Sequence, residues 1–327
     1  MSGQKRFDQI DILKGLAIIS VIVQHSLTGQ QRDYIGGPFY IYQAVPIFMI
    51  LAGFNGIGSY ERRNCRTLGE IYNWGFISPK LSRLLVPYCL TFIIELGWLV
   101  GFLHMGARQI FNIFLTGGYG PGSYFLPIML QITVILPIIY FCAKRNVSAT
   151  LTISFIIGIC FEIYAYFPGM PSSIYRLLFL RYLFAVTLGV WLATRKSQSN
   201  ILLWIGSLLS VVYIYSVHYA SLIPPFQADW QSQNTPSFFY PLLLVILALK
   251  FLPQTLQLRF QRVTVIGKAS YHIFLTQMVY FTTVAGSISK RIGSTPMSAI
   301  INIVLCLVFG TVFYYCEKIF KSRFLKV

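Results

Sequence analysis

Ten stretches of mostly apolar residues, roughly 10–28, 39–58, 84–104, 123–142, 148–167, 175–194, 200–218, 237–252, 265–286 and 297–317, leave this 327-residue chain little room for anything but short connections. A helix of about 20 apolar residues satisfies its own backbone across a hydrocarbon layer, so windows of this length read as spanning helices. With 56% apolar and only 11% charged residues the chain is too apolar for a soluble domain and too ordered in pattern for a disordered one. The expected fold class is an all-α membrane protein, a polytopic bundle of about ten transmembrane helices. No connection is long enough for a separate soluble domain, so residues 1–327 read as one integral-membrane domain.

The net charge of +17 invites a nucleic-acid reading, but the positions of the cations argue for a membrane orientation instead. With a cytoplasmic N-terminus, the inner face would collect Lys5, Arg6, Lys14, Arg62, Arg63, Arg66, Lys80, Arg83, Lys144, Arg145, Arg195, Lys196, Lys250, Arg259, Arg262, Lys268, Lys318, Lys321, Arg323 and Lys326. Arg32, Arg108, Lys290 and Arg291 would fall opposite. That asymmetry follows the positive-inside rule, and an even number of spans puts both termini in the cytoplasm. Part of the basic excess can also hold an anionic cytoplasmic ligand or lipid. The first apolar run is interrupted by Lys14 and lacks a small-residue cleavage site, so it is expected to stay as a helix and not leave as a signal peptide. Cys65, Cys89, Cys142, Cys160, Cys306 and Cys316 show no Cys-x-x-Cys pair, and free thiols without a metal site are expected. The sequon at Asn146 falls in an expected cytoplasmic turn.

Within the first window, Lys14 and His25 stand eleven positions apart. Eleven steps of a helix turn through roughly 1100°, which returns both side chains to nearly one face, about 16 Å apart along the axis. An ionisable pair on one stripe of a spanning helix normally faces a cavity and not lipid. His25 alone reads as polar glue between helices. Its alignment with Lys14, and with Asp11 about 40° away, points toward a general base acting on a hydroxyl. Asp11 and Lys14 are also three apart, which fits a simple interfacial salt bridge.

A second basic pair, Lys80 and Arg83, precedes the third window. Residues three apart on a helix face one way, so the pair suits a phosphate clamp, although a snorkelling basic flank has the same spacing. The segment Thr116-Gly-Gly-Tyr-Gly-Pro-Gly-Ser-Tyr124 lacks the lysine and spacing of a P-loop; it reads either as a re-entrant turn at an aqueous mouth or as a plain loop. Glu95, Glu162, Arg176 and Arg181 lie inside windows and demand partners, either one another or an acceptor. His104 and His218 sit at window ends as interfacial residues, and His272 near the start of the ninth window is a weaker ligand candidate.

These residues carry a resemblance. Asp11-Ile-Leu-Lys-Gly-Leu-Ala17, ending at His25, resembles the opening of the membrane-bound acyltransferase-3 family, which includes bacterial polysaccharide and lipopolysaccharide O-acetyltransferases. Val45-Pro-Ile-Phe-Met-Ile-Leu-Ala-Gly-Phe54 is similar to the family's second-helix run, and Lys80-Leu-Ser-Arg83 with Pro87 to its basic-x-x-Arg pattern. Gly122-Ser-Tyr-Phe-Leu-Pro127 and Ala269-Ser-Tyr-His-Ile-Phe-Leu-Thr-Gln-Met278 resemble the start of its fourth helix and its late Ser-Tyr segment. Three positions depart: Lys14 stands where arginine is commoner, Ala52 where serine is usual, and Gln277 where many members carry histidine.

The resemblance implies a multi-pass protein of the plasma (inner) membrane that moves an acyl group, usually acetyl, from acetyl-CoA to a hydroxyl of a cell-envelope glycan or lipid-linked saccharide. Acetyl-CoA is then a donor substrate, no cofactor is bound permanently, and the remaining partners are membrane lipids, with no nucleic acid. Lys14, Lys80 and Arg83 are assigned to the CoA phosphates, His25 to proton removal, and Asp11 to orienting Lys14 or its helix. An acyl-histidine intermediate is an open variant. Without the fused soluble hydrolase-like domain that some relatives have, the chain is expected to act alone or to pass its acyl group directly. The competing classes are a secondary transporter or flippase of an envelope precursor, and a non-catalytic scaffold or sensor.

Overall fold

The computed structural model describes residues 7–194, 201–256, 261, 263–293 and 295–324, and all regular structure among them is helical. In chain order the helices are α1 (Asp8–Ser26), α2 (Gly29–Tyr34), α3 (Ala44–Arg62), α4 (Leu68–Ile71), α5 (Trp74–Gly101), α6 (Ala107–Leu115), α7 (Phe125–Tyr166), α8 (Ser172–Tyr175), α9 (Leu183–Thr194), α10 (Ile201–Tyr219), α11 (Phe239–Phe251), α12 (Val263–Lys268), α13 (Ser270–Thr283), α14 (Ala285–Ile292) and α15 (Thr295–Phe324). Lys5, Arg6, Arg195, Lys196, Arg259, Arg262 and Lys326, which carry part of the expected charge asymmetry, lie outside the described residues.

Helix occupies part of every expected window, but among the described residues five helical segments have the length and hydropathy to cross a membrane: 37–62, 74–101, 125–166, 201–219 and 295–323. The 42-residue α7 takes up two expected windows and breaks between them at Asn146 (φ −155°, ψ 99°). The Asn146 Oδ1 accepts from the Ala149 N–H at 3.0 Å, so this residue caps the second half of the helix. The first helix falls outside the five because Asp11, Lys14, Gln24 and His25 dilute its apolar run. The ninth window is divided at Ala269 between α12 and α13.

α10 shows what solvent this fold is built for. Its exposed residues include Ile201, Leu202, Trp204, Leu208, Leu209 and Val212, whereas its buried face holds Ser207 and Ser210. Those hydroxyls donate to Phe239 O (3.1 Å) and Pro236 O (2.5 Å). Apolar side out and hydroxyl side in is the pattern of a helix in lipid, where neighbouring helices must satisfy every polar group.

The chain divides into two compact units. The first comprises Met1–Tyr34, Arg83–Leu126 and Phe251–Val327. Within it α1 packs on α12, α13 and α15. The start of α1 is fastened by its first residues: the Asp8 N–H donates to Gln254 O (3.0 Å), the Leu256 N–H to Asp8 Oδ2 (2.8 Å), and Gln9 Nε2 to Leu252 O. The first of these bonds occupies an N–H that the first turn of a helix otherwise leaves open, and the other two tie its side chains to the chain at 252–256.

The second unit comprises Ile35–Ser82 and Pro127–Lys250. Its α3 and α9 meet at two glycines that face each other's backbone: a Cβ on Gly53 would overlap Val186 O, and one on Gly189 would overlap Ile50 O. Small residues let helices approach closely where lipid supplies no hydrophobic drive. Of the three charges that the expected windows place in this unit, Glu162, Arg176 and Arg181, the first and last find partners within it. Glu162 accepts from the Tyr175 hydroxyl at 2.5 Å, with Arg181, Asn234 and the Thr235 amide close enough to act on it. The fully buried Arg181 guanidinium lies 4.0 Å from the Trp230 ring centroid, 4.5 Å from that of Tyr182 and 4.9 Å from that of Tyr175. A cation held by ring faces and a nearby carboxylate is supported at both ends.

The glycine contact yields a direct test. Gly189→Ala should lower the stability of detergent-solubilised protein by about 1–3 kcal/mol or prevent folding, because the overlap is with backbone and not with a movable side chain. Gly97→Ala, at a position with open space around it, should leave the melting temperature unchanged or raised.

Candidate functional site

His25 closes the last turn of α1, half-buried, with its ring against Phe281 of α13 (centroids 5.8 Å apart, planes at 60°). The neighbouring residue anchors that turn: Asn302 Nδ2 of α15 donates to Ser26 Oγ at 3.1 Å, and Ser26 Oγ donates to Ile22 O at 2.8 Å. The Tyr280 hydroxyl of α13 donates to Asn302 Oδ1 at 2.6 Å. One amide therefore ties three helices together at the level of the imidazole.

The carboxyl end of α1 is capped from outside the helix. Arg32, from α2, donates through Nη1 to Gln24 O and, at 3.1 Å, to Leu27 O, and its charge is close enough to act on the His25 ring. A guanidinium there satisfies open carbonyls and complements the negative end of the helix dipole. At the other end, Asp11 is buried and its backbone faces Gly267 so closely that a Cβ on the glycine would overlap it. Lys14, one turn further on, is half-buried. Asp11, Lys14 and His25 thus share one unbroken helix, with about 16 Å of axial distance between the lysine and the histidine.

Lys80 and Arg83 share α5 but have different surroundings. The Lys80 ammonium lies 4.2 Å from the centroid of Tyr60 and 4.1 Å from that of Phe76, and Arg63 stacks on the same Phe76 at 4.6 Å. Arg83 is exposed. Lys80 belongs to the second compact unit, whereas Arg83 begins the part of α5 that belongs to the first.

Three further polar groups of the first unit are built in. Glu95 accepts from the Tyr119 N–H at 3.2 Å, so the glycine-rich segment folds onto a carboxylate of α5. Gln277 Nε2 donates to Pro121 O at 3.0 Å and pins the same segment to α13. His272 Nε2 lies 2.5 Å from Glu317 Oε2, whose other oxygen pairs with Lys321 at 2.6 Å, and the Tyr271 hydroxyl donates to Leu84 O at 2.8 Å. His272 is therefore a member of an internal ion network, while His218 packs on Tyr42 and the exposed His104 adopts positive φ (49°). All six cysteines are free thiols.

A family model described as an acyltransferase domain matches residues 7–315. The chain belongs to the acyltransferase-3 family. The match runs through both compact units and includes every residue of the candidate site. No curated protein and no solved structure matches the chain significantly. With its lipid-facing helices, the chain is a membrane acyltransferase.

Several residues that shape the acyltransferase's candidate site escape a reading of the sequence. Ser26, Tyr280, Asn302 and Arg32 act through contacts with other helices, and nothing in their local patterns distinguishes them from ordinary polar residues at span ends. Phe281 has one signal, its position just after the late motif. Asn302→Leu should destabilise the solubilised protein by about 1–3 kcal/mol, since Tyr280 and Ser26 would both lose a buried partner; thermal unfolding of the variant against wild type measures it.

Proposed function

We propose that this membrane acyltransferase transfers an acetyl group from acetyl-CoA to a hydroxyl of a cell-envelope carbohydrate or lipid-linked saccharide, within a ten-span topology whose termini are both cytoplasmic. The observation that carries this reading is the geometry of α1: a half-buried imidazole, in a last turn that is anchored at Ser26 and capped by Arg32, lies on the same helix face as Lys14 about 16 Å away. A CoA thioester has phosphates at one end and its reactive carbonyl at the other, so it needs cations and a base separated along one direction.

In this mechanism His25 takes the proton of the acceptor hydroxyl as its oxygen attacks the thioester carbonyl. The new C–O ester bond forms, the C–S bond breaks, and the CoA sulfur leaves with the proton returned from the imidazolium. Lys14, Lys80 and Arg83 hold donor phosphates, with Arg83 offering a planar fork and the two lysines point charges. The Lys80 ammonium, a hydrogen-bond donor, lies over the rings of Tyr60 and Phe76. Asp11, one turn before Lys14 and buried, orients that part of the helix. The carbohydrate acceptor and the plasma-membrane location follow the family resemblance.

Two measurements test the assignment. His25→Ala should give a folded, membrane-inserted protein whose acceptor-dependent CoA release falls by about 10²-fold or more; a wild-type rate would remove His25 from the reaction. Lys80→Ala combined with Arg83→Ala should chiefly weaken CoA binding, and an unchanged Kd for CoA would sink the anchor. Labelled acetyl-CoA without acceptor should leave no label on the protein if transfer is direct.

A further inference from the structure

The glycine-rich segment and the two side chains that hold it have hydrogen-bonding capacity that the fold leaves unused. Glu95 is 3% exposed, and its Oε2 takes the Tyr119 N–H, with the Gly120 amide also beside the carboxylate. Among the described residues its Oε1 has no hydrogen-bond partner. Gln277 is 0% exposed; its Nε2 is engaged by Pro121 O, and its Oε1 likewise has no partner among the described residues. Buried acceptors left unmatched are costly and rare, and two of them beside one loop call for donors from elsewhere.

The loop is shaped to stay close to both. Gly118 has φ +110°, and a Cβ there would lie 2.9 Å from Glu95 Oε2 and 2.8 Å from Met278 Cε. A Cβ on Gly120 would overlap the Met278 backbone. Bare backbone at these positions lets the segment lie directly against α5 and α13, where a side chain would overlap the carboxylate or the Met278 backbone.

Position along α13 joins this cluster to the proposed base. Phe281, whose ring packs on His25, follows Gln277 by four residues, so the two share a helix face about 6 Å apart along the axis. The missing donors are neutral hydroxyls and not a metal: one carboxylate oxygen and one amide oxygen are too few for Ca²⁺ or Mg²⁺.

We propose that Glu95 and Gln277, with the glycine-rich loop between them, form a saccharide subsite whose two free oxygens accept hydrogen bonds from hydroxyls of a pyranose and hold the acceptor sugar beside His25. The proposal rests on the reading that the acceptor is a carbohydrate hydroxyl.

The test uses the full chain in nanodiscs and the methyl pyranosides of glucose, galactose and mannose as probes. Saturation-transfer NMR should show at least one glycoside binding to wild type. Glu95→Gln, which preserves volume and one acceptor toward the loop, and Gln277→Met should each weaken that binding by about tenfold, in line with loss of one buried hydrogen bond. The affinity for acetyl-CoA should not change. Hydrogen exchange on wild type provides a readout free of any variant, with saturating glycoside expected to slow exchange across residues 117–122. Absence of glycoside binding to wild type overturns the subsite. So do unchanged affinities in both variants, or exchange at 117–122 that glycoside leaves untouched. If glycosides bind through Glu95 and Gln277 yet never stimulate CoA release, the subsite stands and the carbohydrate-acceptor reading of the reaction falls.

Discussion

A polar group on a helix in lipid has no water to turn to, and α1 carries Asp11, Lys14, Gln24 and His25 on a single helix. The first unit is organised around that constraint. The backbone beside Asp11 is met by Gly267, the opening turn by the strand of chain at Leu252–Leu256, and the closing turn by Asn302, Tyr280 and Arg32. The hydrogen bonds among these contacts satisfy polar groups, and together the contacts fix both ends of α1. The same bonds that make the helix tolerable in an apolar surrounding also fix the turn that carries His25, whose ring packs on Phe281.

The second unit meets the same demand with paired charges and ring faces. Arg181 lies among three aromatic rings, and Glu162 is faced by Tyr175, Arg181, Asn234 and Thr235. This arrangement braces helices by matching one buried charge with another and with ring faces. Glu95 differs, because backbone amides of a glycine-rich loop are what approach its carboxylate, and one oxygen is left over. A buried charge surrounded by side chains from several elements reads as a joint, whereas the Glu95 carboxylate is met on one side by loop backbone alone.

Much of the architecture was legible before any coordinate. Helical, membrane-directed segments follow from runs of apolar residues, and the break at Asn146 falls between two windows that hydropathy had already separated. Hydropathy was less informative about span length. The interruption at Ala269 and the 3-10 turns that precede α9 and α11 shorten segments that read as full windows, since a run of apolar residues does not say where the helical geometry stops. The glycines between the third and fourth windows read either as a re-entrant turn or as a plain loop. Their role against Glu95 needed the fold, because the carboxylate sits 24 residues earlier on a different helix.

For the site the division has a physical origin. The alignment of Lys14 with His25 is a local consequence of helical periodicity, so the sequence by itself determined the spacing, the face and, through motif order, the acyltransferase family. Which groups serve that face was decided by tertiary structure alone. Asn302 reaches Ser26 across 276 residues of chain, Arg32 turns back onto α1 through a short helix, and Gln277 meets Pro121 from a distant segment. Such pairings depend on where helices cross, and crossing is set by small residues and side-chain shape throughout the packed unit, information that no single stretch of sequence contains.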